Sequence, residues 1–194
     1  MLEWSVAALQ AVPAVEEIII ALPADVLDEA PEGTVAVAGG EQRSHSVRAA
    51  LAASGDGDPV IVHDAARPLA TPELFQQVLD ELGRHPVEAV IAAAPVSDTI
   101  KECRPDGRTV DRTLDRSRLW AVQTPQVFRR QALERAMAGD EEALARATDD
   151  AWLIEQGGGT VRIVGSEPGN FKVTTPHDLR IAELLLRERL ELRR

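Results

Sequence analysis

Apolar residues fall into short β-branched runs separated by stretches of helical spacing. Glu17 to Leu22 is such a run ahead of Pro23, Thr34 to Ala38 is a shorter one ending in Gly39-Gly40, and Val60 to Val62 is a third. Val87 to Ala94 and Val161 to Val164 repeat the pattern. Runs of this length without polar alternation are expected of strands buried on both faces. Between them, Leu2, Val6 and Leu9 recur at helical spacing and stop before Pro13. Ser44 to Ser54 carries Val47, Ala50 and Leu51 on one face, with Gly55 just past its end. Thr71-Pro72-Glu73 supplies an N-cap hydroxyl, a first-turn proline and an early acid before Leu74, Phe75, Val78 and Leu82, and Gly83 reads as the stop. Arg129 to Ala138 and Asp149 to Gln156 are helical, and Gly157-Gly158-Gly159 ends the second. Thr175-Pro176-His177-Asp178 caps a last helix through Leu192, expected to turn Leu179, Ala182, Leu186 and Leu190 inward.

This alternation predicts an α/β fold over residues 1–194, with a mainly parallel sheet and helices on both faces. Residues 97–119 break the pattern. They are polar, carry the turn Arg104-Pro105-Asp106-Gly107, and alternate on both sides of it, which predicts a protruding β-hairpin arm. Thr124-Pro125-Gln126 reads as turn chemistry following the arm. Ligands of such sheets bind beyond the carboxyl ends of the strands, which selects residues 39–46, 63–68, 95–101 and the segment after Val164.

Charge narrows the partners. With 21 basic and 32 acidic residues the net charge is 21 − 32 = −11, and no Lys/Arg run compensates locally, so a nucleic-acid partner is not expected. An acidic chain that binds anionic metabolites relies on a few placed cations, helix N-termini and a divalent metal. The single cysteine, Cys103, has no internal disulfide partner, and His45, His63, His85 and His177 lack metal-ligand spacing. No apolar run reaches the roughly 18 residues of a membrane span and no basic leader precedes an apolar stretch, so the expectation is a cytoplasmic protein with no membrane partner.

Asp64 follows an apolar strand and precedes two alanines, a setting that suits a divalent metal bridging phosphates; Mg²⁺ needs only one or two carboxylates plus substrate oxygens. Arg67, braced by Pro68, suits bidentate phosphate binding. The alternative is that Asp64 caps the turn and Arg67 pairs with a surface acid. Gly39 to Ser46 offers close backbone approach, an acid and hydroxyls at a helix start, or simply an N-cap. Lys172 stands before the last helix, where a cation and free N–H groups suit a phosphate. An aspartyl nucleophile of D-x-D type is disfavoured by Ala66.

Together these segments resemble the 2-C-methyl-D-erythritol 4-phosphate cytidylyltransferase family, a relative of ribitol-phosphate cytidylyltransferases. The resemblance rests on G-G-x-x-R-x-x-S-V at Gly39 to Val47, V-H-D-A-A-R-P at Val62 to Pro68 and A-A-P-V-x-D-T-I-K at Ala93 to Lys101. It continues through L-D-R at Leu114 to Arg116, L-W-x-x-Q-T-P-Q at Leu119 to Gln126, T-D-D-A at Thr148 to Ala151, and N-F-K-V-T at Asn170 to Thr174. It implies a Rossmann-like nucleotidyltransferase domain that moves a cytidylyl group from CTP to methylerythritol phosphate with Mg²⁺. It also implies a homodimer whose arms complete each other's sites. Gly40, Glu41 and Ser46 would read the cytosine, with Glu41 where Asp is common, and Asp64 and Ala65 would lie near ribose, phosphates and metal. Arg67, Thr124, Thr148 and Lys172 would surround methylerythritol phosphate, with Thr99 and Arg116 reaching it from the neighbouring subunit; Asp64, Arg67 and Lys172 would be catalytic.

The resemblance starts at the first helix. Family members begin with a strand and a glycine-rich loop, P-A-A-G-x-G-x-R, followed by a K-Q pair, and the sequence from Met1 onward contains none of these. This implies the loss of triphosphate-cradling amides and of an interior strand, exposing backbone edges in the sheet. Two readings compete: a fragment of a complete enzyme, which the ordered site residues favour, or a short homologue that binds without turnover.

Overall fold

The computed structural model describes residues 1–191. Leu192, the expected end of the last helix, lies outside them. Helix α1 (Leu2–Gln10) opens the chain, followed by β1 (Ile19–Leu22), β2 (Val35–Ala38), α2 (Arg43–Ala53) and β3 (Val60–Val62). Helix α3 (Pro72–Arg84) and β4 (Ala89–Pro95) lead to the hairpin β5 (Lys101–Cys103) and β6 (Val110–Thr113). Strand β7 (Trp120–Phe128), α4 (Arg130–Met137), α5 (Glu141–Arg146), α6 (Asp150–Gln156), β8 (Val161–Gly165) and α7 (Pro176–Glu191) complete it.

The main sheet has the order β3-β7-β4-β8. Strands β3 and β4 both run antiparallel to β7, and β8 is parallel to β4, so β7 alone runs against the other three. The directions are therefore mainly parallel, as expected, but the opposing strand is interior. Strand β7 was not anticipated: Thr124-Pro125-Gln126 made this stretch look like a turn. The chain escapes the usual exclusion of proline from central strands because the β4–β7 ladder breaks between Ile91 and Ala93, leaving residues 123–125 outside the paired register.

Burial follows the strand period. Ala89 and Ile91 of β4 join Phe128, Leu133, Met137, Leu144 and Ile154 on one face of the sheet, while Val90 and Ala92 join Val127, Val78 and Leu82 on the other. Helices thus cover both faces, as expected. Thr71 Oγ1 accepts a hydrogen bond from Leu74 N at 3.3 Å, the N-cap expected of α3, although that helix runs through Gly83 rather than stopping at it. Helix α5 was not anticipated; Asp140 caps it by accepting from Ala143 N at 2.6 Å. In α7, Ala182 and Leu186 are buried, but Leu179 and Leu190 are 40% and 48% exposed, so the inward stripe is narrower than the spacing suggested.

Strands β1 and β2 pair in parallel as a sheet of their own. Between β1 and β3 lies a cleft of about 630 Å³, walled by Ile18 to Ala21 on one side and Pro59 to Asp64 on the other, with Leu2, Val6 and Leu9 of α1 lining it. Among the described residues β1 pairs only with β2 and β3 only with β7, and both strands line this cleft. The arm β5–β6 is exposed along its whole length.

Candidate active site

The segment after β3 is held in a tight turn by Arg67 N–H donating to Asp64 O at 2.9 Å, and Val173 N–H donates to Ala66 O at 2.8 Å. These contacts bring the loop before α7 against the end of β3. Asp64 consequently accepts from two cations: Arg43 Nε at 3.0 Å on Oδ1 and Lys172 Nζ at 2.8 Å on Oδ2. Burial works against its charge, but the hydrogen bond from Lys172 and the proximity of Arg43 outweigh it and hold the carboxyl below the usual range. Arg43, at the start of α2, also donates through Nη1 to Asp150 Oδ2 at 2.6 Å. Burial pushes the Asp150 carboxyl up, with Arg43 pulling in the opposite direction.

Arg67 reaches across the pocket floor, donating through Nη1 to Asn170 O at 2.7 Å and through Nη2 to Val122 O at 3.4 Å. Burial, with the nearby Arg43 charge, lowers the Arg67 guanidinium from its ordinary value against the pull of Asp64. The expected alternative, Arg67 paired with a surface acid, is not what forms. Thr124 Oγ1 accepts from Asp64 N at 3.0 Å and lies 2.9 Å from His63 Nδ1. Burial is the main cause that pushes His63 down to about 4.

Two cavities meet at this point. The 630 Å³ cleft is lined by Ser46, Ala65, Arg43 and Asp64 among others. A second pocket of about 390 Å³ is lined by Arg67, Thr124, Thr148, Lys172 and again Arg43 and Asp64. The structure thus sorts most of the expected site residues into two groups with Arg43 and Asp64 as the shared wall. Gly40 and Glu41 sit outside both linings, at the N-terminal end of α2. Gly40 N–H donates to Ser46 Oγ at 3.1 Å, and a Cβ there would fall 2.4 Å from that of His45, so the close approach needs glycine. Thr99 and Arg116 are on the exposed arm and line neither cavity; Arg116 donates to Ser97 O.

Arg43 and Asp150 were given no role from sequence. Both lie in motifs noted there, and the signal that distinguishes them is an arginine at a helix start and a second acid directly after an N-cap acid. Asp149 accepts from Trp152 N at 2.9 Å, which leaves Asp150 to turn inward.

No group of three or more His, Cys, Asp or Glu able to hold a metal occurs among the described residues. Asp64 fits a divalent ion as a single carboxylate: its oxygens each carry one hydrogen bond in the protein and retain a lone pair, and substrate oxygens would supply the remaining ligands. No helix among the described residues is long and apolar enough to cross a membrane.

Known proteins resemble this chain in sequence and in fold. The family model for 2-C-methyl-D-erythritol 4-phosphate cytidylyltransferase matches residues 1–188. The protein of that name from Symbiobacterium thermophilum is 47% identical over 186 residues, covering 91% of this chain and 76% of that protein. The one from Nocardia farcinica is 43% identical over 198 residues, covering 99% and 84%. Among solved structures, the Thermus thermophilus cytidylyltransferase superposes with a TM-score of 0.82 at 35% identity, covering 96% of this chain and 88% of that one. The 4-diphosphocytidyl-2C-methyl-D-erythritol synthase of Anaerococcus prevotii gives 0.85 at 31%, with the same coverage. The fold is thus the Rossmann-like nucleotidyltransferase fold, and the chain belongs to the 2-C-methyl-D-erythritol 4-phosphate cytidylyltransferase family.

Proposed function

We propose that the chain transfers a cytidylyl group from CTP to the phosphate of 2-C-methyl-D-erythritol 4-phosphate, a step of non-mevalonate isoprenoid biosynthesis. The observation that carries this reading is the meeting of two cavities on Asp64 and Arg43, with Lys172 and Arg67 on the second. A phosphate oxygen of methylerythritol phosphate forms a bond to the α-phosphorus of CTP. The bond from that phosphorus to the oxygen bridging to the β-phosphate breaks, and pyrophosphate leaves with the electron pair. This in-line displacement requires no protein nucleophile; it requires positioning and cations around the reacting phosphorus.

On this reading Gly40, Glu41 and Ser46 bind the cytosine, and Asp64 and Ala65 lie beside ribose and phosphates. Arg67, Thr124, Thr148 and Lys172 hold methylerythritol phosphate. Asp64 would hold Mg²⁺, which when bound neutralises phosphate charge. Lys172, released from Asp64, turns its ammonium to the substrate phosphate. The exposed arm of one protomer delivers Thr99 and Arg116 to the site of its partner in a homodimer; sedimentation finding only monomer at micromolar concentration would count against this. The decisive assay is pyrophosphate release from CTP with methylerythritol phosphate and Mg²⁺. Turnover with ribitol phosphate alone would move the chain to the related specificity.

The open cleft between β1 and β3 favours a second reading, a ligand-binding homologue without turnover. Calorimetric binding of CTP or methylerythritol phosphate with no pyrophosphate released would select it.

A further inference from the structure

His63 has no part in the transfer described above, yet its ring joins two residues of the site. Nε2 lies 3.3 Å from Arg67 O, and Nδ1 lies 2.9 Å from Thr124 Oγ1. A T-shaped contact with Phe75, the ring centroids 4.9 Å apart, braces the plane of the imidazole. A backbone carbonyl only accepts, so the neutral ring carries its hydrogen on Nε2, and Nδ1 is the acceptor. The Thr124 hydroxyl therefore donates to Nδ1. The same oxygen already accepts from Asp64 N–H at 3.0 Å. One lone pair of Thr124 Oγ1 is left, and the Thr124 hydrogen is committed.

We propose that His63 is a positioning residue that holds the Thr124 hydroxyl as an acceptor, so that Thr124 reads a hydroxyl of the sugar-alcohol phosphate rather than its phosphate. A phosphate oxygen offers only lone pairs and finds no donor at Thr124. A polyol hydroxyl donates and matches the free lone pair. Phosphate binding then falls to Arg67 and Lys172, which line the same pocket. The relay also ties the end of β3 to β7, because Thr124 is a β7 residue and Asp64 follows β3. The inference rests on the substrate assignment made above.

The test has two parts on the full chain. With ¹⁵N-labelled histidine, the ligand-free protein is expected to show the Nε2–H tautomer at His63; the Nδ1–H tautomer overturns the relay. Calorimetry then measures methylerythritol phosphate and inorganic phosphate against the native protein, His63→Phe, Thr124→Val and the double variant. Each single change is expected to weaken methylerythritol phosphate binding by about tenfold, the double no more than either, with inorganic phosphate affinity held within about twofold. Additive losses, or an equal loss for inorganic phosphate, overturn the proposal. His63→Asn, whose amide can replace the Nδ1 acceptor, is expected to restore most of the affinity, and serves if His63→Phe does not fold. Native protein that binds inorganic phosphate but not methylerythritol phosphate would overturn the substrate assignment and the hydroxyl reading with it, while the tautomer still decides the relay.

Discussion

Arg43 Nη1 donates at 2.6 Å to Asp150, a carboxylate only 1% exposed whose other oxygen, Oδ1, has no hydrogen-bond partner among the described residues. Because Nε of the same guanidinium holds Asp64, the buried acid of α6 orients the carboxylate at the end of β3 through a single planar group. Replacing Asp150 by Ala removes the acceptor of Nη1 and leaves Arg43 only Asp64 as an ion-pair partner. The expected loss is about 3 kcal/mol, the low end for a broken buried pair because Arg43 keeps contact with water. Asp150→Asn retains an acceptor for Nη1 and is expected to lose much less. Urea midpoints of the two variants provide the measurement; equal stability of Asp150→Ala and the native chain would show that the contact contributes nothing.

Lys172 presents a different balance. Its ammonium is paired with Asp64 at 2.8 Å, but its side chain is 42% exposed, so the ion pair adds little to stability. Lys172 lines the second pocket, where the proposed function puts the substrate phosphate. Lys172→Met is therefore expected to leave the urea midpoint nearly unchanged and to lower turnover by about a hundredfold or more. A variant as active as the native enzyme in pyrophosphate release would remove Lys172 from the site.

These two residues also mark what the sequence carried. Lys172, Asp64 and Arg67 were legible because each lies in a loop at a strand or helix end, where the rule for ligand placement directs attention. Asp150 and Arg43 each stand at the first position of a helix, a local signal, but 107 positions separate them, so nothing in the sequence announces that they pair. Strand β7 was hidden for a related reason. Buried Gln126 looks polar in sequence, but its amide donates to Asp149 Oδ2 at 2.9 Å, a partner supplied only by tertiary structure. Strands β3 and β4 and helix α3 needed no such partner, since their own apolar period and caps define them.

The cleft beside β1 makes a prediction for backbone exchange. Ile18 O and Leu22 O accept from Val35 N and Gly39 N on the β2 side. With a period of two, the backbone groups of Ile19 and Ala21 point the other way, into the cleft. Their amides are expected to exchange at least about tenfold faster than that of Ile20. Equal protection along β1 in hydrogen-exchange NMR would mean that the cleft edge is paired in solution.

The last prediction concerns acid. Asp178 Oδ2 accepts from Thr174 N at 3.0 Å and Thr175 N at 2.9 Å, while Asp178 N–H donates to Thr175 Oγ1 at 3.2 Å, a reciprocal cap at the start of α7. These backbone hydrogen bonds, Thr174 first and then Thr175, hold the carboxyl down at about 2 from an ordinary value of 3.8. The folded-state value lies below the unfolded one, so the cap's contribution is fully present above the ordinary carboxylate range. It is lost as pH falls through about 2. Carbon-detected titration of the Asp178 carboxyl is expected to give that low midpoint, with Thr174 and Thr175 amide shifts moving in step. Asp178→Asn should abolish the coupled amide shifts. A midpoint near the ordinary value would mean that the cap does not form in solution, and the loop bearing Lys172 would then lack its anchor at α7.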